Sequence, residues 1–217
     1  MIIDIEDIQG ILLSKKISIK GCFHVGSHDC EELTNYNMLG VKTEDIVWVD
    51  ALSFKVYQSV SRGIPNVYHA LITDKDDEDT LFNVANNLRS SSILEFGTEF
   101  GTEFGTEFGH PRIAFIDKIH INSITIDTFF ERNNLDASKY DFWNLKIKGA
   151  ELLALKGATQ SIKHAKVLYV EVSSKELYKD GALIRDIDEY LGQFNFKRVM
   201  TNITIHKWGD ALYILDV

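Results

Sequence analysis

Apolar and polar positions along this chain change period several times, and the changes mark out alternating strands and helices. Met1–Ser14 reads as a short amphipathic lead-in. Ile17–Val25, ISIKGCFHV, has the pattern of a strand, and Gly26-Ser27-His28-Asp29 interrupts it ahead of a helical stretch over Cys30–Leu39. Glu44–Asp50, EDIVWVD, is a second buried strand ending in an acid. Ser53–Arg62 has helical composition with Ser53 as its expected N-cap, and Asn66–Ile72, NVYHALI, is a third strand. Strand, helix, strand, helix, strand is the mononucleotide-binding half of a doubly wound α/β sheet.

The pattern resumes after an acidic turn over Asp74–Asp79. Thr80–Val84 reads as a short strand, Ile113–Ile126 alternates as another, and Asp127 is expected to cap a helix running to Asn133. Asp141–Ala158, DFWNLKIKGAELLALKGA, changes period at its middle. Phe142–Ile147 is a buried strand and Gly149 makes a turn. Leu152, Leu153, Leu155 and Ala158 then recur at helix spacing, with Glu151 at the positive end of the dipole. Val167–Val172 is a fifth core strand and Ala182–Phe194 a helix. Phe196–Ile203 and Asp210–Val217 close the chain as an antiparallel edge hairpin on an otherwise parallel sheet.

One segment follows neither period. Glu95-Phe96-Gly97-Thr98 repeats from Glu99 and from Glu103 and ends as Glu107-Phe108-Gly109-His110. A glycine at every fourth residue disfavours a helix interior, and three full copies are too few for a solenoid. Residues 95–110 therefore read as an expanded surface loop inside one domain; the alternative is that its phenylalanines form a lid or a partner-binding patch.

Composition narrows the function classes. At 217 residues the chain suits a single domain, residues 1–217, with a full core. A formal charge of −9 without basic runs argues against a nucleic-acid partner. No apolar run is long enough for a membrane span, and the acidic start shows no secretory signal. Cys22 and Cys30 are too few for a disulfide scaffold or a four-thiolate zinc site, so a reducing, cytoplasmic setting is expected. The oligomeric state stays open, a homodimer being one option.

Candidate chemistry gathers at strand ends, where open α/β sheets bind ligands. Gly26, between strand and helix, is either a plain tight turn or the place where a ligand approaches the backbone and free amides hold a carboxylate. Asp50 lies 24 residues further on, where an acid accepts ribose hydroxyls in dinucleotide folds. His24 and His28 have i, i+4 spacing, which suits a metal on a helix but not on a strand and turn, so no metal is expected. Glu151 is either a dipole-favoured helix acid or a carboxylate facing cofactor or substrate. Glu171 points toward the crevice rim. His206 is either a general base or an exposed turn histidine. Asp74 is either near the adenine end or simply solvated.

The motifs FHVGSHDCEEL, WVDA, SSSILEFGT, DFWN-x-x-I-x-GAELLALKGA, ELYKDGALIRDIDEYL and T-x-H-x-WGDALYI together resemble the FkbM-type S-adenosylmethionine-dependent methyltransferases, from about Gly21 to Ile214. The resemblance implies a Rossmann-like seven-stranded sheet, mostly parallel, with an antiparallel C-terminal edge. It implies methyl transfer to oxygen on sugars or other small-molecule hydroxyls. It places His24, Gly26, Ser27, His28, Asp50, Ala51, Thr73, Ser91 and Ser92 around S-adenosylmethionine, and Asn144, Lys148, Glu171 and Asp210 around the acceptor. Lys146, Glu151 and His206 are the expected catalytic set.

At one position the chain departs from the pattern. The family reads N-x-D-I-Q-GAE where this chain has Asn144-Leu145-Lys146-Ile147-Lys148-Gly149-Ala150-Glu151. A cation replaces the strand-end acid, and two like charges ~5 Å apart at an effective dielectric of about 20 repel by roughly 3 kcal/mol. Glu151 or Glu171 would neutralise Lys146, or desolvation would turn it into a base. The other reading is a homologue that binds cofactor but is catalytically weak or inactive.

Overall fold

The computed structural model describes residues 1–98 and 113–216. Seven strands form the main sheet in the order β3-β2-β1-β7-β8-β10-β9. They are β1 (Cys22–Val25), β2 (Ile46–Asp50), β3 (Val67–His69), β7 (Phe142–Leu145), β8 (Val167–Ser173), β9 (Phe196–Ile203) and β10 (Trp208–Leu215). The five on the β3 side run parallel, and β10 is antiparallel to both β8 and β9. The fold is therefore the expected Rossmann-like α/β sheet with an antiparallel edge.

The central strands are buried on both faces, which is why they read as continuous apolar runs. Alternate residues divide between two cores. Phe23, Val25, Trp143 and Leu145 face Phe129 and Phe130 of α4 (Ile126–Arg132), Leu155 of α5 (Glu151–Lys156) and Ile187 of α6 (Ile184–Gly192). Cys22, Trp48, Phe142 and Tyr169 face Ile8 and Leu12 of α1 (Ile5–Ser14) and Tyr36 of α2 (Leu33–Met38). A third helix, α3 (Ser53–Ser61), follows β2.

The differences from the sequence reading have local causes. The helix expected from Cys30 begins at Leu33, because His28 and Cys30 take left-handed φ values of 47° and 56°. The third strand splits: Val67–His69 pairs with β2, whereas β4 (Leu71–Ile72) pairs with β6 (Phe115–Ile124). With β5 (Asp79–Ala85) these make a second sheet, β4-β6-β5. Thr125, not Asp127, caps α4, its side chain accepting from the Thr128 amide. Asp127 instead accepts from the Gln160 and Ser161 amides. Leu52 stands at the N-cap position of α3, and Ser53 is already helical. The last strand lies over Trp208–Leu215 rather than from Asp210. Residues 99–112, which include most of the 95–110 tetrapeptide repeat, lie outside the described residues.

Candidate active site

Two connected cavities open beyond the C-terminal ends of β1, β2 and β7. A narrow slot of about 70 Å³ is walled by Asp50, Ala51, Leu52, Leu71, Phe82 and Ile93. A wider cavity of about 560 Å³ is walled by Glu32, Glu151, Glu171, Leu177, Tyr178 and Trp208. Gly26, His28, Arg89, Lys146 and Lys148 border both and form the neck between them.

On the slot side, Asp50 accepts from the His28 amide at 2.7 Å and from the Leu52 amide at 2.8 Å. Burial raises its pKa against the opposing effect of those amides. A carboxylate has about four lone-pair sites, so two acceptor directions remain for a diol. The apolar walls beside it suit a flat heterocycle. The slot thus sets one buried carboxylate beside apolar walls.

The fold itself requires glycine at position 26. It has φ 83°, and a Cβ there would lie 2.1 Å from the Lys146 carbonyl oxygen, so glycine lets the end of β7 close against β1. The amides expected to be free are also occupied. Gly26 and Ser27 both donate to the Val49 carbonyl, at 2.9 and 3.1 Å.

The neck carries balanced charge. Lys146 Nζ lies 3.5 Å from Glu32 Oε1 and 3.9 Å from Asp210 Oδ2. Burial works against its charged form, but Asp210, Glu32 and Glu171 outweigh that and hold its pKa above the ordinary lysine value. The expectation that desolvation makes Lys146 a base is thereby corrected. Its neutralising partners are chiefly Glu32 and Asp210, with Glu171 instead bound at 2.7 Å through both oxygens by Lys148. Glu151 is buried, and its oxygens accept from the Ile147 amide at 2.7 Å and the Gly149 amide at 2.9 Å. It clamps the β7–α5 turn, and burial, then Glu171, pushes its pKa up.

Several expected site residues are not brought to a cavity wall. His24 and Asn144 are 1% and 0% exposed and share the Tyr36 hydroxyl, to which Asn144 Nδ2 donates at 2.7 Å while His24 Nδ1 lies 3.1 Å away. Strand alternation puts both beneath α2, below the crevice floor. Asp210 is also fully buried, accepting from Tyr169 and from the Ile2 amide, and reaches the site only through Lys146. His206 sits in the β9–β10 turn, outside both linings. Ser27 and Thr73 are buried away from the walls. Ser92 donates its hydroxyl to the Lys148 carbonyl, whereas Ser91 lines the slot.

Sequence reasoning missed Glu32, Arg89, Tyr178 and Trp208. Trp208 stood inside a quoted motif, and Glu32 followed the glycine turn as one of two adjacent acids, but neither position reveals what it faces. His28 Nδ1 lies 3.0 Å from Asp29 Oδ2 and 3.3 Å from Glu31 Oε1. Those acids already pair with Lys55, Arg62 and Arg89, so the group carries no metal assignment. Among the described residues no helix is long and apolar enough to cross a membrane.

Two solved structures are similar in outline. Magnesium protoporphyrin IX methyltransferase from Synechocystis PCC 6803 with bound SAM has 9% identity and a TM-score of 0.45, over 98% of this chain and 78% of that one. A SAM dependent methyltransferase from Aquifex aeolicus has 11% identity and a TM-score of 0.39, over 98% of this chain and 97% of that one. No curated protein matches the chain. The methyltransferase FkbM domain matches residues 15–198, most of the chain, which therefore belongs to the FkbM methyltransferase family, with S-adenosylmethionine as cofactor.

Proposed function

We propose that this protein is an O-methyltransferase acting on a sugar or related small-molecule hydroxyl, in glycan modification. The observation that carries the reading is the slot beside Asp50 opening through the neck into a wide cavity beyond the C-terminal ends of the parallel strands. S-adenosylmethionine supplies a methyl group activated on a sulfonium. Asp50 holds the ribose, and Gly26, His28, Ala51 and Ser91 line the same side. The acceptor cavity alternates the ion pair of Lys148 and Glu171 with Tyr178 and Trp208, giving the hydrogen-bonding edges and aromatic surfaces that sugars use. Lys146 donates to the acceptor, while Glu32 and Asp210 offset its charge beside the sulfonium. Glu151 positions Lys146 and Lys148 by fixing their turn.

We read residues 1–217 as one domain, with the 95–110 repeat as an insertion. A cytoplasmic location agrees with two buried, unpaired cysteines. The test is calorimetric titration with S-adenosylmethionine followed by turnover on a panel of methyl glycosides. No binding at millimolar cofactor would sink the reading. Binding without turnover would favour the inactive homologue.

A further inference from the structure

We propose that His28 is the general base of the methyl-transfer step, an assignment that rests on the methyltransferase reading above. The step needs a group that takes the acceptor's hydroxyl proton, and His28 is the imidazole that borders both cavities. Its backbone is fixed by the hydrogen bond from its amide to Asp50 and held at φ 47°, a conformation uncommon outside glycine and of the kind found at functional sites.

Its ring is fixed as well. Nδ1 faces Asp29 at 3.0 Å and Glu31 at 3.3 Å. Lys55 anchors Asp29 at 2.9 Å, with Arg62 behind it, and Arg89 anchors Glu31. A proton on Nδ1 satisfies these carboxylates and leaves the Nε2 lone pair open. Among the described residues none hydrogen-bonds Nε2. The charged groups across the neck are Arg89, Lys146 and Lys148, with Asp50 behind the amide.

The other ionisable groups lack this combination. Lys146 is held as a cation by its acids, and Glu171 is bound through both oxygens by Lys148. Both oxygens of Glu151 accept backbone amides, Glu32 faces Lys146, and His206 is outside the linings.

In the step, an acceptor oxygen lone pair forms the bond to the methyl carbon as the S–CH3 bonding pair returns to sulfur. The hydroxyl proton passes to His28 Nε2. The products are the methyl ether, S-adenosylhomocysteine and an imidazolium, which is partly exposed and returns its proton to solvent.

Two measurements test the assignment. Nitrogen-15 NMR of the S-adenosylhomocysteine complex should show neutral His28 protonated on Nδ1. An Nε2-protonated ring overturns the proposal, whether or not any acceptor in a glycoside panel turns over. His28→Gly and His28→Asn both tolerate the backbone conformation. Each should lower methyl transfer to a methyl glycoside by about 100-fold at saturating cofactor, and added imidazole should restore rate to the glycine variant. An unchanged rate, or weaker cofactor binding with an unchanged saturated rate, overturns it. Failure of the wild type to bind S-adenosylhomocysteine would instead strike the methyltransferase reading itself.

Discussion

Lys146 puts a cation at the end of β7, and two carboxylates stand within 4 Å of it. They are Glu32 and Asp210, which approach the ammonium from two other elements. Lys146→Asp would therefore crowd three acids at the neck. We expect that variant to be less stable and no more active than wild type, read from denaturant midpoints and single-turnover rates. Lys146→Met should cost about 2 kcal/mol, less than the ~3–5 kcal/mol of a fully buried pair, because the contacts are long and Lys146 is partly exposed. Equal midpoints for the Lys146→Met variant and the wild-type protein would remove the charge-compensation argument. The lysine itself was legible in the sequence. Its partners were not, because an ion pair between residues 114 positions apart leaves no periodic trace.

Elements were legible where one physical cause acted locally. The buried runs of β2, β7 and β8 announced themselves, and so did the glycine turn before α5. Boundaries failed where tertiary partners decided them, as at Ala70, where the chain leaves β2 after a last bond from its amide to the Asp50 carbonyl. The β7–α5 turn shows how much one side chain contributes. Lys148 and Gly149 take φ values of 58° and 93°, and Glu151 holds the turn through two amides. Glu151→Ala leaves both donors without that partner, at about 1–3 kcal/mol each where water cannot replace it. The expected result is a clear loss in unfolding free energy together with a higher KM for the acceptor, since Lys146 and Lys148 flank the same turn. Gly26→Ala makes a related case. Its left-handed φ alone costs about 1–2 kcal/mol before the clash with the Lys146 carbonyl is counted. Reduced cofactor binding in that variant should therefore accompany lower thermal stability; binding lost at full stability would show that Gly26 acts on the ligand directly.

Across the whole molecule, a row of polar side chains lies on one face of the main sheet, under the crevice. Trp48, His24, Asn144 and Tyr169 stand side by side in register on β2, β1, β7 and β8. The sequence suggested cofactor and acceptor contacts for His24 and Asn144, because strand position alone does not separate the crevice row from the row beneath it. Burial lowers the His24 pKa from 6.5 to about 4, with Glu32 opposing the shift and Lys146 adding to it. Between those two values the unfolded chain binds a proton that the folded protein refuses, so the contribution of His24 to stability falls as pH drops through this window, while that of Glu151, whose carboxyl is raised by burial, rises. The full shift corresponds to about 3 kcal/mol. Burial works to raise the Glu32 pKa, but His24 and Lys146 outweigh it and lower the value to about 2, so Glu32 contributes stability that is lost only further into acid. The two windows meet near pH 4, because the charge of each group acts on the other. Denaturant unfolding of both proteins at pH 7 and pH 4.5 should show wild type losing more, or gaining less, stability on acidification than His24→Asn, which removes the titrating ring. An identical pH dependence in the variant would mean that other groups, and not the buried imidazole, set the acid sensitivity of the fold.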